Sequence, residues 1–197
     1  TCALPISGHG LTLLFGFIYL AFYLFRWFLR GWYYTPRISY RLSFIGVLMS
    51  YSITVLTTFG TSVPGYQTLL STENFQNLLL GGVWLVLRPS AFKLFPYYAV
   101  SLLQISSHFH VKVFLKYETQ LSDIISLSEL FVIVALLFDT FMFRGSSGFA
   151  LAIYLAFYWL RINFSPYTQV YILKLVRLID DKVMVKQKPA IKAKWQK

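Results

Sequence analysis

Apolar positions run along this chain in long blocks separated by short polar joints. Leu11 to Leu29 (LTLLFGFIYLAFYLFRWFL) is apolar except for Thr12 and Arg26, and its length suits the hydrocarbon core of a bilayer. Trp27, Trp32 and Tyr33 fall where headgroups would lie, and Arg26 is near enough to the end of the segment to snorkel. Pro36 interrupts the connection, and RISYRLSF then leads into a second segment, Ser43 to Phe59. Its Ser50, Ser52, Thr54, Thr57 and Thr58 are suited to hydrogen-bonding their own backbone or a neighbouring helix. Residues 60–76 contain Gly and Pro and no Lys or Arg, and read as a loop with a short surface helix opened by Ser71 or Thr72 near Glu73.

The third block is broken. Asn77 to Leu87 is apolar but short, RPSAFKLFP follows, and YYAVSLLQIS resumes the apolar pattern. One crossing kinked at Pro89 or Pro96 accounts for this, and so does a re-entrant hairpin with Arg88 and Lys93 at a wet turn. From His108 to Asp123 charged and apolar residues mix, as in a surface helix or a polar connection. Leu127 to Phe143 and Gly148 to Phe164 are two further apolar arms joined by RGSSG, each short for a full span. They fit either thin crossings or the two limbs of a wedge that fills one leaflet more than the other.

A different periodicity follows the turn at Ser165-Pro166. There, Ile172, Leu175, Val176, Ile179 and Val183 share one helical face, while Lys174, Arg177, Asp181 and Lys182 lie mostly on the other. Such a helix can bury its stripe at the headgroup boundary while its cations reach anionic phosphates. The expected contact residues are Ile172, Lys174, Leu175, Val176, Arg177, Ile179, Lys182, Val183, Lys186 and Lys188. The predicted fold is all-α: a polytopic membrane protein, with a small helical bundle containing short or broken spans and a C-terminal amphipathic surface helix. Its expected parts are a multi-spanning membrane domain, residues 1–166, and a basic amphipathic tail, residues 167–197.

Composition strengthens the membrane reading. Hydrophobic residues make up 57% of the chain and aromatics 19%, more than an ordinary soluble domain carries. Eight of the 18 basic residues lie beyond Pro166, where only Asp180 and Asp181 oppose them. A tail of this charge directly after a membrane helix is expected to meet anionic lipid, with no nucleic acid as partner. Thr1 in place of Met implies preceding residues, and Leu11 to Leu29, with no basic leader or small-residue cleavage site, is expected to be a retained anchor. Suppose the segments near 11–29, 43–59, 77–106, 127–143 and 148–164 all cross. Arg26, Arg30, Arg37, Arg41, Lys112, Lys116 and the tail then share one side, which is cytosolic by the positive-inside rule. A hairpin at 77–106 changes that parity and leaves the tail as the strongest cytosolic signal.

Candidate chemistry is sparse. The chain has no H-x-x-x-H, no G-x-S-x-G, no glycine-rich phosphate loop and no cysteine pair, Cys2 being alone. His108 and His110, followed by Glu118 and Asp123, are the nearest approach to a metal set, but His at i and i+2 do not share a helix face. No enzymatic activity, metal or cofactor is expected. Asp139 lies among Leu136, Leu137, Phe138 and Phe141, where an ionised carboxylate is costly. It is expected either near the interface beside Arg144 or as an intramembrane polar contact, paired with Arg88, Lys93 or Arg161. Glu129 is expected to face headgroups.

Three stretches come in a familiar order: LFPYYAVSLLQISSHFHVKVF (Leu94 to Phe114), SLSELFVIVALLFDTFMF (Ser126 to Phe143) and YLAFYWLRINFSPYTQVYILKLVRLID (Tyr154 to Asp180). Through them, and over nearly its whole length to about Val185, the chain resembles the transmembrane protein 33 family. That family includes the fungal 33-kilodalton pore-membrane protein and its endoplasmic reticulum paralogue. The motifs are compositional rather than catalytic. The resemblance implies a non-enzymatic protein of the endoplasmic reticulum membrane and nuclear envelope, contributing to membrane shaping and nuclear pore organisation. Reticulon-type membrane-shaping proteins and nuclear pore membrane components are the implied partners. In fungal pore-associated members an amphipathic helix after the last span helps membrane binding and targeting, a role that the resemblance assigns here to about Tyr171 to Val185 plus the Lys-rich extension. Family members are usually described with three or four spans, fewer than five crossings. The alternative is an accessory subunit of a larger membrane complex, and a transporter with an aqueous path to Asp139 is a third reading.

Overall fold

Helices supply all the regular structure among the described residues. The computed structural model describes residues 3–25, 27–28, 34–60, 64–112, 116–145 and 147–185. Eight helices are fully described, in order: α1 (Ala3–Leu24), α2 (Thr35–Phe59), α3 (Tyr66–Ser71), α4 (Glu73–Val86), α5 (Ala91–His108), α6 (Glu118–Phe141), α7 (Ser147–Phe164) and α8 (Pro166–Val185). Three of them, α1 from Pro5, α2 and α6, are long and apolar enough to cross a membrane.

Local chemistry explains several boundaries. Pro36 begins α2 rather than interrupting the chain ahead of it, because a first-turn residue needs no backbone N–H. Gly60 ends that helix at φ 64°. Leu87 and Ser90 are extended on either side of Pro89, which separates α4 from α5. Pro96 is carried within α5. The mixed stretch expected as a surface element splits differently: Glu118 to Asp123 forms the first turns of α6, which therefore reaches 24 residues. At 1.5 Å per residue that is about 36 Å, a full crossing rather than a short arm.

Polar and small residues bring α1 and α2 together. Thr12 Oγ1 donates to the Ser43 carbonyl at 3.2 Å, and Ser43 Oγ donates back to the Thr12 carbonyl at 3.1 Å. Ser50 Oγ donates to the Pro5 carbonyl at 2.7 Å. A side chain on Gly46 would stand 2.6 Å from the Gly8 carbonyl oxygen, so the backbones touch where both residues are glycine. Tyr40, Phe44, Val47, Trp84, Leu94 and Leu136 then fill the core behind this seam.

The region 77–106 reverses rather than continuing as one kinked helix. Near the start of α5, Lys93 Nζ sits 4.9 Å over the ring of Trp84, near the end of α4, and donates to the Arg88 carbonyl at 3.2 Å. A continuous helix would separate residues 84 and 93 by about 13 Å along its axis. Helix α5 packs on α1 through His9 with Ser101 and through Tyr98 beside Gly16; α4 meets α7 through Asn77 with Arg161 and Trp84 with Tyr154. This reversal corrects the five-crossing charge scheme. The starts of α2, α5 and α7 share one end of the bundle with the ends of α1, α4 and α6; the ends of α2, α5 and α7 share the other with the starts of α4, α6 and α8. Arg37 and Arg41 thus lie at the end opposite Lys112, Lys116 and α8. Hydropathy marks a segment as apolar but does not say which way it runs.

The surface is inverted relative to a water-soluble protein. Phe17, Phe131, Val134, Phe138, Phe149 and Trp159 are exposed, while His9, Thr12, Ser43, Ser50, Ser101 and Glu129 are buried. In water such an exterior would drive association; in a bilayer it is matched to its solvent, and each of these enclosed polar residues finds a partner within the bundle.

Candidate functional site

Helix α7 carries Arg161 into the bundle close to its junction with α8. Its guanidinium pairs with the Glu129 carboxylate of α6 and donates to Asn77 Oδ1 of α4, tying three helices at one point. The two charged side chains are 14% and 8% exposed, so this is an interior ion pair. Tyr154 Oη donates to the Glu129 carbonyl at 3.0 Å and fixes the turn of α6 that presents the carboxylate. An arginine fork suits this task because one planar group can serve an anion and an amide oxygen together.

The pair stands in the wall of a cavity of about 630 Å³. Its other lining side chains come from every long helix of the bundle: His9 from α1, Tyr51 from α2, Glu73 from α4, Lys93 and Tyr97 from α5, and Glu118 from α6. Lys93, although 6% exposed, has a carbonyl and the Trp84 ring as partners. His9 Nδ1 lies 3.0 Å from Ser101 Oγ. Tyr97, also lining the cavity and 5% exposed, has a hydroxyl with no hydrogen-bond partner among the described residues. Among the described residues no three His, Cys, Asp or Glu side chains gather as a metal cage.

The residues singled out from sequence are dispersed. Asp139 is not among the cavity's lining residues; it lies at the end of α6, with Oδ1 3.4 Å from Arg144 Nη1, and both side chains are accessible. Glu129, expected at the headgroups, is instead buried against Arg161. Helix α8 packs on α6 and α7, with Lys174 Nζ 2.9 Å from Asp123 Oδ1. Ile172 and Leu175 are half-buried there, while Lys174, Val176, Arg177 and Ile179 are exposed, so the predicted apolar stripe is divided between the bundle and the outside. Lys182 and Val183 belong to the last turn of α8, but their side chains, like Lys186 and Lys188 altogether, lie outside the described residues.

Sequence reasoning missed the Glu129–Arg161 pair although a signal was present. Each is a charge set into an apolar arm, and the two are equidistant along the chain from Gly145 in the connecting turn. In an antiparallel hairpin centred on that glycine they face one another. The orphaned Tyr97 hydroxyl left no comparable trace.

An all-helical bundle with an apolar exterior and its polar groups turned inward defines a polytopic membrane protein. The chain is 33% identical to the Saccharomyces cerevisiae protein named "Uncharacterized membrane protein YGR026W", across 96% of this chain and 80% of that relative. It is 34% identical to "Nucleoporin POM33" of Chaetomium thermophilum over 52% of this chain and 37% of the nucleoporin. No family model and no solved structure matches it. The relatives place it plainly: the chain belongs to the transmembrane protein 33 family.

Proposed function

We propose that this protein is a non-enzymatic organiser of endoplasmic reticulum and nuclear envelope membrane, contributing to membrane shaping and nuclear pore organisation. The observation that carries the reading is the similarity to a protein named a nucleoporin, in a chain whose exterior suits lipid. The bundle occupies bilayer area, and α8 with its basic extension lies on the cytosolic surface. There the exposed Val176, Ile179, Lys174 and Arg177 engage anionic lipid, with Lys182, Val183, Lys186 and Lys188 extending the contact. Reticulon-type proteins and pore membrane components are its partners.

Two observations weigh against the other readings. Ser50, which an accessory subunit would offer to partner helices, is already used internally against Pro5. The lining of the cavity does not include Asp139, which a transport path would require. The test is the distribution of the fluorescently tagged full chain in cells, together with pore spacing after its removal. Accumulation at the nuclear rim coincident with pores, and altered pore spacing on removal, is the expected result. Uniform membrane fluorescence with unchanged spacing would exclude the pore role.

A further inference from the structure

The cavity between the helices, open at one end, has more binding chemistry than a structural void needs. Its lining follows one face of α5 through Lys93, Tyr97, Val100, Gln104, Ser107 and His108, a run of about 22 Å along the helix axis. It ends among the starts of α1, α4 and α6 and the ends of α2, α5 and α7, where Pro5, Glu73, Glu118, Thr54, His108 and Ser165 line it. A volume of about 630 Å³ is within the range of small-ligand sites.

The lining also selects. Arg161 and Lys93 offer cationic donors, while Glu73, Glu118 and Glu129 offer carboxylates. The buried Tyr97 hydroxyl has no hydrogen-bond partner among the described residues, which leaves it open to one supplied by a ligand. A wholly apolar ligand would strand these groups, and a purely anionic one would meet three carboxylates. Val100, Leu103, Ile125 and Val132 supply an apolar wall in the same cavity, and the exposed apolar exterior sets the bundle in a pool of amphiphiles.

We propose that the cavity is a binding site for a zwitterionic phospholipid. The phosphate accepts hydrogen bonds from Tyr97 Oη and from guanidinium N–H groups of Arg161. The ammonium group lies toward Glu73 and Glu118, and an acyl chain runs along the apolar wall. The ligand is drawn from the surrounding bilayer rather than from the aqueous phase.

The test uses the purified full chain in detergent and counts bound lipid by native mass spectrometry. The probes are phosphatidylethanolamine, phosphatidylglycerol and water-soluble glycerophosphoethanolamine. Wild type is expected to retain phosphatidylethanolamine in preference to the other two. Tyr97→Phe should lower that retention about tenfold, as for a lost hydrogen bond to a charged group, with an unchanged melting temperature of the delipidated protein because the hydroxyl bonds nothing among the described residues. Val100→Trp, which fills the cavity from α5, should lower it independently. Equal retention by wild type and both variants, a preference for the anionic lipid, or binding of the soluble phosphodiester as tight as that of the lipid would overturn the proposal.

Discussion

Glu129 of α6 and Arg161 of α7 form an ion pair inside the bundle, and Asn77 of α4 accepts a further hydrogen bond from the same arginine. Two charges taken out of solvent attract strongly, but each would be costly alone. Their pairing therefore pins α6 to α7 in a single register.

Removing one partner should be far worse than removing both. Arg161→Met or Glu129→Met is expected to destabilise the full chain by about 3–5 kcal/mol, because the remaining group is left uncompensated. The double variant Glu129→Met with Arg161→Met should recover much of that loss. Denaturation of all four proteins in detergent gives the coupling directly, and additive losses would show that the pair does not act as a unit.

The α1–α2 seam depends on the absence of side chains at its centre. Gly46→Ala places a methyl 2.6 Å from the Gly8 carbonyl oxygen, and Gly8→Ala collides with Ser50 Oγ and meets the Gly46 carbonyl oxygen at 2.8 Å. Each should cost about 1–3 kcal/mol through overpacking. Gly82, in α4, has nothing within 4 Å of an added Cβ, so Gly82→Ala should be neutral or stabilise by about 0.5–1 kcal/mol. Thermal unfolding of the three variants would check the contrast.

Thr12 and Ser43 exchange hydrogen bonds across the same seam. Thr12→Val and Ser43→Ala are each expected to cost about 0.6 kcal/mol and at most about 1.7, the scale measured for polar contacts between membrane helices. A double-mutant cycle in detergent would read the coupling; a cost of several kcal/mol would mean that the seam relies on these bonds more than on backbone contact.

For α8, seating by Ile172 and Leu175 should outweigh the Lys174–Asp123 pair, which is accessible on both sides. Lys174→Ala should change stability by no more than about 1 kcal/mol. Ile172→Asp should release the helix and raise amide exchange across Pro166–Val185. Equal exchange in the two variants would show that the apolar seat does not hold the helix.

Much of the helical layout was legible in the residues themselves. Apolar runs marked α1, α2 and, as a short arm, α6; a break was marked at Pro89 or Pro96; the Ser165-Pro166 turn marked the start of α8. These signals are local, being set by a missing N–H, by a backbone conformation or by the cost of exposing a continuous apolar run. Boundaries were less legible where helices include polar residues. Glu118 to Asp123 continues α6 because its turns line the cavity and meet α8, conditions that hydropathy does not register.

What the sequence determined by itself was the membrane class, the helical content and some of the places where the helices break. The tertiary structure alone decided that α4 and α5 run in opposite directions, that Glu129 finds Arg161 rather than headgroups, and that Tyr97 brings an unsatisfied hydroxyl to an interior cavity. The physical reason is that in a bilayer both the lipid-facing and the helix-facing sides of a segment can be apolar. Hydrophobic patterning then reports only that a residue avoids water. Which residues meet is decided by close backbone approach and by polar groups that must find one another.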